Sequence, residues 1–434
     1  MLAHLTQKSD PTFYFGDGII ETKAKIESHC AFNEQLVNAM GRRPFALHIV
    51  AALLLSLAEG LAPPVIVVGK VIIDEYGDPA KSEAPALSIG GGGPQAAFGA
   101  AAGLAVRDCF SADGTRKTEF ESSNISQPPP RMPVAFLGAV GSDWTDEDTD
   151  SLHSLIGPAL DTAPVLVESK EHTTPRIRLW HDESQNIQWY AVNNSFGPCG
   201  ADGLWRNRPS ASDLLAVLNE RDGIAEQGAC LHMIVEAGEG AAGGGMDSEP
   251  LRDPQLLKRI SFVGVEPIAF INEEEGKVSA TDAASCVRLI ESLPRLDVLC
   301  PDNDLDLSLQ VVGHDRGAFH IVARNGPKGS ILYERTGTST GRGNNGKQVR
   351  AATLTTSDGQ PVNPTGAGNA YSGALSALLG TGSDLTEAAT IATGVGAAVC
   401  EFQNLPPWRW EFLERIRDAR EEVRESIKKA NEAD

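Results

Sequence analysis

The sequence predicts an α/β fold, a mostly parallel β-sheet with helices on both faces. Continuous runs of β-branched and other apolar residues recur, as at 65–74 and 134–143, and such runs are typical of strands buried on both sides. Helix patterns rich in alanine and glycine alternate with these runs. Several strand patterns end near a polar residue, among them Asp74, Asp143 and Glu266. In such sheets ligands bind beyond the carboxyl ends of the strands, so we expect a site there.

Composition narrows the classes of function. The chain has 434 residues, 41% of them hydrophobic, which is enough for a large core. It carries 58 acidic against 37 basic residues, a formal net charge of −21, which disfavours nucleic acid and anionic membrane as partners. Its seven cysteines are scattered without a Cys-x-x-Cys motif. This pattern indicates neither a zinc site nor a disulfide framework and favours a reducing, cytoplasmic location.

The domain boundaries follow from shifts in composition. Residues 1–62 form an N-terminal extension of unknown role. Within it, 45–62 is apolar and long enough to span a membrane, but it contains Glu59 and ends in Gly-Leu-Ala-Pro-Pro. We favour a helix packed on the domain, or a stretch foreign to the fold, and expect no membrane span. The main domain is predicted over 63–407, followed by a charged helix over 408–434.

Three polar or glycine-rich segments are predicted to be insertions into the main domain. They cover 107–133, 238–249 and 337–350. The second contains a glycine-rich run without the Lys-Ser/Thr pair of a Walker A loop, so it does not indicate a phosphate-binding loop of that kind.

The rest of the chain is organised around residues 362–373, Val-Asn-Pro-Thr-Gly-Ala-Gly-Asn-Ala-Tyr-Ser-Gly. Pro364, Gly366 and Gly368 allow a tight turn directly before an alanine-rich helix pattern. The amides of 366–369 would then lie at a helix start, where free N–H groups and the helix dipole attract phosphate. An N-capping asparagine after a glycine turn is the alternative, and it requires the same helix start.

A second glycine-rich stretch precedes another helix pattern. Residues 88–104 read Ser-Ile-Gly-Gly-Gly-Gly-Pro-Gln followed by an alanine-rich run. Glycines at this point allow a ligand to approach the backbone closely, and the amide of Gln95 can donate a hydrogen bond. The alternative is a glycine-rich helix start that serves only packing.

Both stretches resemble the signatures of the PfkB, or ribokinase-like, carbohydrate kinases. The second signature of that family is usually Asp-Thr-x-Gly-Ala-Gly-Asp-x-Phe, and its first is a Gly-Gly turn, an amide residue and an alanine-rich helix. The resemblance implies a ribokinase-like three-layer sandwich with a small β lid. It also implies phosphorylation of a sugar or nucleoside hydroxyl with ATP and Mg²⁺. The four-glycine run and Ile-Ile-Asp-Glu at 72–75 resemble the fungal maintenance-of-killer-type branch.

The resemblance assigns expected roles to individual residues. Asp74, Gly91, Gly92 and Gln95 would hold the acceptor. Gly366, Ala367 and Gly368 would stabilise the transferring phosphate, and Asn303, Gly326, Gly329 and Thr365 would bind the nucleotide. Asp306, in Asn-x-x-Asp where the family has Asn-x-x-Glu, would organise Mg²⁺, although an acidic, capped helix start explains it equally well. A homodimer through the lid is a candidate assembly.

Besides Asp306, three positions depart from the family pattern. Asn369 stands where the family has its catalytic aspartate, and an amide cannot accept a proton at neutral pH. Asn363 replaces the first acid of the same motif, and Gln95 replaces an asparagine. Two functions therefore remain open: an impaired kinase, or a nucleotide- or sugar-binding pseudokinase or scaffold without turnover.

Overall fold

The computed structural model describes residues 64–77, 86–117, 120, 127–170, 173–181, 187–191, 209–220, 228–236, 250–268, 270–272, 277–279, 283–301, 320–334, 347–354, 365–402 and 404–433. The residues from Pro63 to Asp434 form one compact unit. The predicted N-terminal extension, 1–62, and the predicted insertion at 238–249 lie outside the described residues.

The strands fall into a large sheet, a small sheet and a separate hairpin. In chain order they are β1 Val65–Val68, β2 Ile72–Tyr76, β3 Ala86–Gly90, β4 Val134–Val140, β5 Val165–Glu168, β6 Arg176–His181, β7 Ile187–Ala191, β8 Ala229–Glu236, β9 Ile260–Ile268, β10 Phe270–Asn272, β11 Lys277–Ser279, β12 Val298–Leu299, β13 His320–Arg324, β14 Ser330–Glu334 and β15 Lys347–Val349.

The large sheet has the strand order β15-β14-β13-β12-β9-β8-β1-β4-β5. Its neighbouring strands pair in parallel through the series β13-β12-β9-β8-β1-β4-β5. Strands β14 and β15 add an antiparallel edge. The small sheet has the order β3-β2-β6-β7, and β10 pairs with β11. The predicted α/β class with a mostly parallel sheet is therefore confirmed.

Helices cover both faces of the large sheet. They are α1 Gly92–Cys109, α2 Asp146–Ile156, α3 Ala211–Asn219, α4 Pro254–Arg259, α5 Ala283–Ser292, α6 Ala367–Gly380, α7 Leu385–Cys400 and α8 Trp410–Ala433. Buried residues of α1, α2, α6, α7 and α8 share one core with one face of the sheet, and those of α3, α4 and α5 share a second core with the other face.

Strand β1 shows why the apolar runs are continuous. Val65 and Val67 belong to the first core, whereas Ile66 and Val68 belong to the second. Because side chains alternate between the two faces of a strand, a strand in the middle of the sheet needs an apolar residue at every position.

The prediction of one strand over 65–74 was wrong, because the run divides into two strands in different sheets. β1 ends at Val68 and β2 begins at Ile72. The backbone turns at Gly69, where a Cβ would lie 2.6 Å from the α-carbon of Gly93. Asp74 therefore lies inside a strand of the small sheet, not at the end of a strand of the large sheet.

The small sheet is attached to the large one through Asp143. This residue follows β4, and its carboxylate accepts a hydrogen bond from the backbone N–H of Thr174 at 2.5 Å and lies 3.5 Å from a guanidinium nitrogen of Arg176. Strand β6, which begins at Arg176, lies inside the small sheet, because it pairs with β2 on one side and β7 on the other.

Two expected insertion boundaries also differ from the structure. Helix α1 continues to Cys109, so the segment expected to begin at 107 begins later. At the end of the segment expected over 337–350, Lys347–Val349 forms the edge strand β15. The charged C-terminal helix is present as α8, and its expected apolar stripe is buried at Trp410, Leu413, Ile416 and Val423. Within the described part of the chain, no helix is both long and apolar enough to cross a membrane.

Candidate functional site

The two glycine-rich stretches end in the first turns of α1 and α6. Gly91 precedes α1 with φ +92°, and Gly366 precedes α6 with φ +83°. Residues with a side chain rarely adopt such positive φ angles, which explains why glycine occupies these two positions. The first intrahelical hydrogen bond of α6 joins the N–H of Ala370 to the carbonyl of Gly366, so the amides before Ala370 point out of the helix start.

Close helix packing brings the two turns together. A Cβ on Gly99 of α1 would overlap the backbone of Ala370, and a Cβ on Gly373 of α6 would overlap the carbonyl of Ala96. Farther along, a Cβ on Gly103 would lie 3.0 Å from the Cβ of Ala374. Small residues thus let the two helix backbones touch, and the predicted acceptor and phosphate turns become neighbours.

An amide pair joins the turns. Asn369 donates from Nδ2 to the Oε1 atom of Gln95 at 2.8 Å. The carboxamide of Gln95 lies against Gly366, because a Cβ on that glycine would overlap it. Asn369 also faces the first turn, since a Cβ on Gly92 would lie 3.3 Å from its Oδ1. The position of the expected base is therefore filled by a neutral, hydrogen-bonded amide that lies between the two glycine turns.

Asp74 lies against the first turn. A Cβ on Gly90 would overlap its carboxylate, and the residue is only 5% exposed. Burial raises the pKa of Asp74 to about 7. The first turn thus carries a buried carboxyl group beside Gly90 and the Gln95–Asn369 amide pair near Gly92. Such groups can hydrogen-bond the hydroxyls of a polar ligand.

A buried ion pair adjoins the second turn. Arg324, at the end of β13, contacts Oε1 of Glu266 on β9 and lies 3.2 Å from the hydroxyl of Ser372 on α6. That hydroxyl donates to the carbonyl of Gly368 at 2.7 Å. A Cβ on Gly368 would lie 2.6 Å from Nη1 of Arg324. Burial opposes ionisation of Glu266, but Arg324, with His232, lowers the pKa of this carboxyl below its ordinary value.

His232 on β8 extends this buried group. Its Nδ1 lies 2.9 Å from the hydroxyl of Ser376, and its Nε2 lies 3.7 Å from Oε2 of Glu266, which is too far for a hydrogen bond. Both His232 and Glu266 are fully buried. Polar residues of β8, β9 and β13 therefore meet below the first turns of α6.

Gly326 and Gly329, the glycines expected to bind nucleotide, lie in the hairpin turn between β13 and β14. Gly326 has φ +47° and open space around it, whereas Gly329 has φ +90° and packs against the backbone of Val349. The hairpin is tied to α6, because the hydroxyls of Tyr371 and Ser330 lie 2.8 Å apart. Thr365 directly precedes Gly366, and Ala367 is the first residue of α6.

Three predicted positions lie outside the described residues, namely Asn303, Asp306 and Asn363. The structure therefore does not test the predicted Mg²⁺ site. In the described part of the chain, no cluster of three or more His, Cys, Asp or Glu residues could hold a metal ion. The five described cysteines are free thiols, at 109, 230, 286, 300 and 400.

Sequence reasoning expected Glu266 near the site but missed His232 and Arg324, which complete the buried group. A signal was present, because each is a polar residue within or at the end of an apolar strand. Buried polar side chains require partners, and these residues of β8, β9 and β13 supply partners to each other.

One protein-family model matches part of the chain. Residues 293–405 match the model described as pfkB family carbohydrate kinase. This segment contains β13, β14 and the whole of α6, and hence Arg324 and the second glycine turn. No curated protein matches the chain.

Several solved structures are similar in fold at low identity. Ribokinase of Arabidopsis thaliana complexed with ribose and ATP is 15% identical, covering 85% of this chain and 99% of that chain, with a TM-score of 0.48. A nucleoside kinase of Methanocaldococcus jannaschii is 15% identical, covering 82% and 98%, with a TM-score of 0.46. Phosphofructokinase-2 of Escherichia coli in complex with potassium is 13% identical, covering 83% and 100%, with a TM-score of 0.49. These likenesses carry no information about what this chain binds.

Proposed function

We propose that this PfkB carbohydrate-kinase-like chain, matched to that family over residues 293–405, phosphorylates a sugar or nucleoside hydroxyl with ATP at a reduced rate. The observation that carries the proposal is the meeting of the two glycine turns. The start of α6 presents amides to an anion, and the first turn places Asp74 and Gln95 beside it. A donor phosphate and an acceptor hydroxyl would then lie next to each other.

The residues of the chain have separable roles in this proposal. Amides at Gly366, Ala367 and Gly368 would stabilise charge on the transferring phosphate. Asp74 and Gln95 would hold the acceptor, with the carboxylate as hydrogen-bond acceptor above its pKa of about 7. Mg²⁺, when bound, would neutralise phosphate charge, and Asn303 and Asp306 remain the residues that we propose for it. Gly326, Gly329 and Thr365 remain proposed for the nucleotide.

Asn369 accounts for the reduced rate. Its amide cannot take the proton of the acceptor hydroxyl, and its Nδ2 is already bonded to Gln95. Phosphoryl transfer depends mostly on positioning and electrostatics, so the missing base slows the reaction without removing the other contributions. The expected loss is about 10²–10⁴-fold.

The second candidate is a binding protein that takes up a nucleotide or sugar without turnover. The Gln95–Asn369 hydrogen bond favours it, because two neutral amides satisfy each other where a kinase needs a base. The buried carboxyl group of Asp74 favours an acceptor site in either candidate, since its burial opposes folding at neutral pH and packing alone does not require it.

The substitution Asn369→Asp separates the two candidates. It is nearly isosteric, and rotation of the Gln95 amide would allow Nε2 to donate to the new carboxylate. We expect phosphoryl transfer to rise by about 10²-fold or more, because the new carboxylate can accept the hydroxyl proton. The measurement is a mass-spectrometric product assay with ATP–Mg²⁺ and pooled sugars and nucleosides. Unchanged turnover with ATP binding retained would support the binding protein instead.

A further inference from the structure

We propose that Arg324 is a phosphate-affinity residue, supplying a buried positive charge to the anion site at the start of α6. This inference rests on the proposed function, because it concerns the same nucleotide site. It adds a residue that neither glycine turn contains.

The first argument is position. The three atoms nearest to a Cβ on Gly368 all belong to the guanidinium group of Arg324, namely Nη1 at 2.6 Å, Cζ at 3.4 Å and Nε at 4.0 Å. Gly368 is the second residue of α6, within the turn whose amides would meet phosphate. The guanidinium therefore lies directly beside the anion site.

The second argument is the orientation of the ion pair. Glu266 compensates the charge of Arg324 through Oε1, but it is not among the nearest neighbours of Gly368. The pair is thus a dipole whose positive end is nearer to the turn. Arg324 is 8% exposed, and charges act more strongly in such a weakly screened environment than at the surface. The effect adds to that of the helix dipole of α6.

The third argument is the connection to the backbone of the turn. Ser372 links Nη1 of Arg324 to the carbonyl of Gly368 through distances of 3.2 and 2.7 Å. The charge is therefore held at a fixed distance from the amides. An arginine held in this way contributes affinity for anions without reorganising when a phosphate arrives.

The test compares a ligand with only a nucleoside, a ligand with only a polyphosphate, and a ligand with both. Calorimetric titrations of the full chain would use adenosine, ATP and inorganic tripolyphosphate. In Arg324→Met we expect the affinities for ATP and tripolyphosphate to fall about tenfold or more, equal to about 1.4 kcal/mol, with adenosine affinity unchanged. Arg324→Lys keeps the charge, so it should retain ATP affinity within about threefold.

Two further variants control for folding. Arg324→Met leaves Glu266 buried without its cation, so the double variant Glu266→Gln, Arg324→Met removes both charges and should show the same loss of phosphate affinity. Arg420→Met is the matched control, because Arg420 is also buried and paired with a glutamate, Glu387 at 2.8 Å, on helices α8 and α7. It should leave all three affinities unchanged.

The outcomes separate this inference from the proposed function. If Arg324→Met and the double variant bind ATP as the parent does, or if they lose adenosine and ATP affinity alike, the inference is wrong and nucleotide binding by the parent stands. If tripolyphosphate binding depends on Arg324 but no acceptor is phosphorylated, the inference stands and the kinase proposal fails. If the parent binds neither ATP nor tripolyphosphate, both are wrong.

Discussion

Asp74, which we propose to hold the acceptor, lowers the stability of the fold at neutral pH. Its carboxyl has a pKa of about 7 in the folded protein because of burial, against about 3.8 when exposed. Between these values the folded chain binds more protons than the unfolded chain, so the free energy of unfolding falls as pH rises through this window. Below about pH 4 the penalty is absent, and above pH 7 it is fully present.

Asp74→Asn should therefore stabilise the protein at pH 8 more than at pH 5.5. The gain in the free energy of unfolding should be about 2 kcal/mol larger at pH 8 than at pH 5.5. The burial penalty grows by about 1.36 kcal/mol per pH unit over the roughly 1.5 units between pH 5.5 and the pKa of about 7. Urea unfolding at both pH values measures it. Glu75→Gln is the neighbouring control, since Glu75 bonds Arg178 at 2.6 Å and its loss should weaken the fold at both values. An equal gain for Asp74→Asn at the two pH values would contradict the burial argument.

At the scale of single residues, the sequence predicted the turns better than their surroundings. Gly91 and Gly366 were identifiable because the pattern of glycines before a helix has a backbone cause. The Arg324–Glu266 contact joins residues 58 positions apart in the chain, and no local pattern encodes such a pairing. The same holds for Gln95 and Asn369, whose amides meet only after α1 and α6 pack together.

At the scale of elements, the contact between α1 and α6 depends on glycine. Gly99→Ala and Gly373→Ala would each place a methyl group into backbone of the facing helix. We expect each to destabilise the protein by about 2 kcal/mol or more, because a helix must shift to accept the methyl. Thermal and urea unfolding would measure the loss.

A glycine on α7 provides the control for this substitution. A Cβ on Gly396 would lie 3.4 Å or more from its neighbours, an ordinary contact. Gly396→Ala should therefore be neutral or stabilise the helix by up to about 1 kcal/mol through helix propensity. If all three substitutions behave alike, backbone contact between α1 and α6 is not the reason for their glycines.

Element boundaries also show why part of the fold was not predictable. The run at 65–74 is rich in β-branched residues on both sides of Gly69 and Lys70, and its division into β1 and β2 depends on Gly69 fitting against Gly93. That contact is tertiary, so hydrophobic pattern alone gave one strand. In contrast, the start of α2 follows a local rule, because Thr145 and Asp148 form a capping box.

At the scale of the whole molecule, the two terminal regions should differ in their importance for folding. Phe98 of α1 packs against Trp408 and Phe412, with ring centroids 5.7 and 5.4 Å apart, so the C-terminal region completes the first core. A chain that ends at Pro407 should not unfold cooperatively, since removal of α8 exposes this core.

The complementary truncation begins at Leu61. The strand β1 starts at Val65, and Pro63 is the first residue of the compact unit. We expect this shorter chain to stay in solution and to melt in one cooperative transition, as measured by circular dichroism. Aggregation of this chain would instead show that residues 45–62 cover apolar surface of the domain.

The glycine contact between α1 and α6 has a mechanical consequence. Where the two backbones touch, no side chains lie between them that could change rotamer and let the helices shift. The turns before α1 and α6 should therefore move together as one rigid unit. Asp74, however, belongs to the small sheet, which joins the large sheet at Gly69 and through Asp143. A ligand that contacts Asp74 and Gln95 together would thus connect the small sheet to the paired helices α1 and α6 within one compact unit.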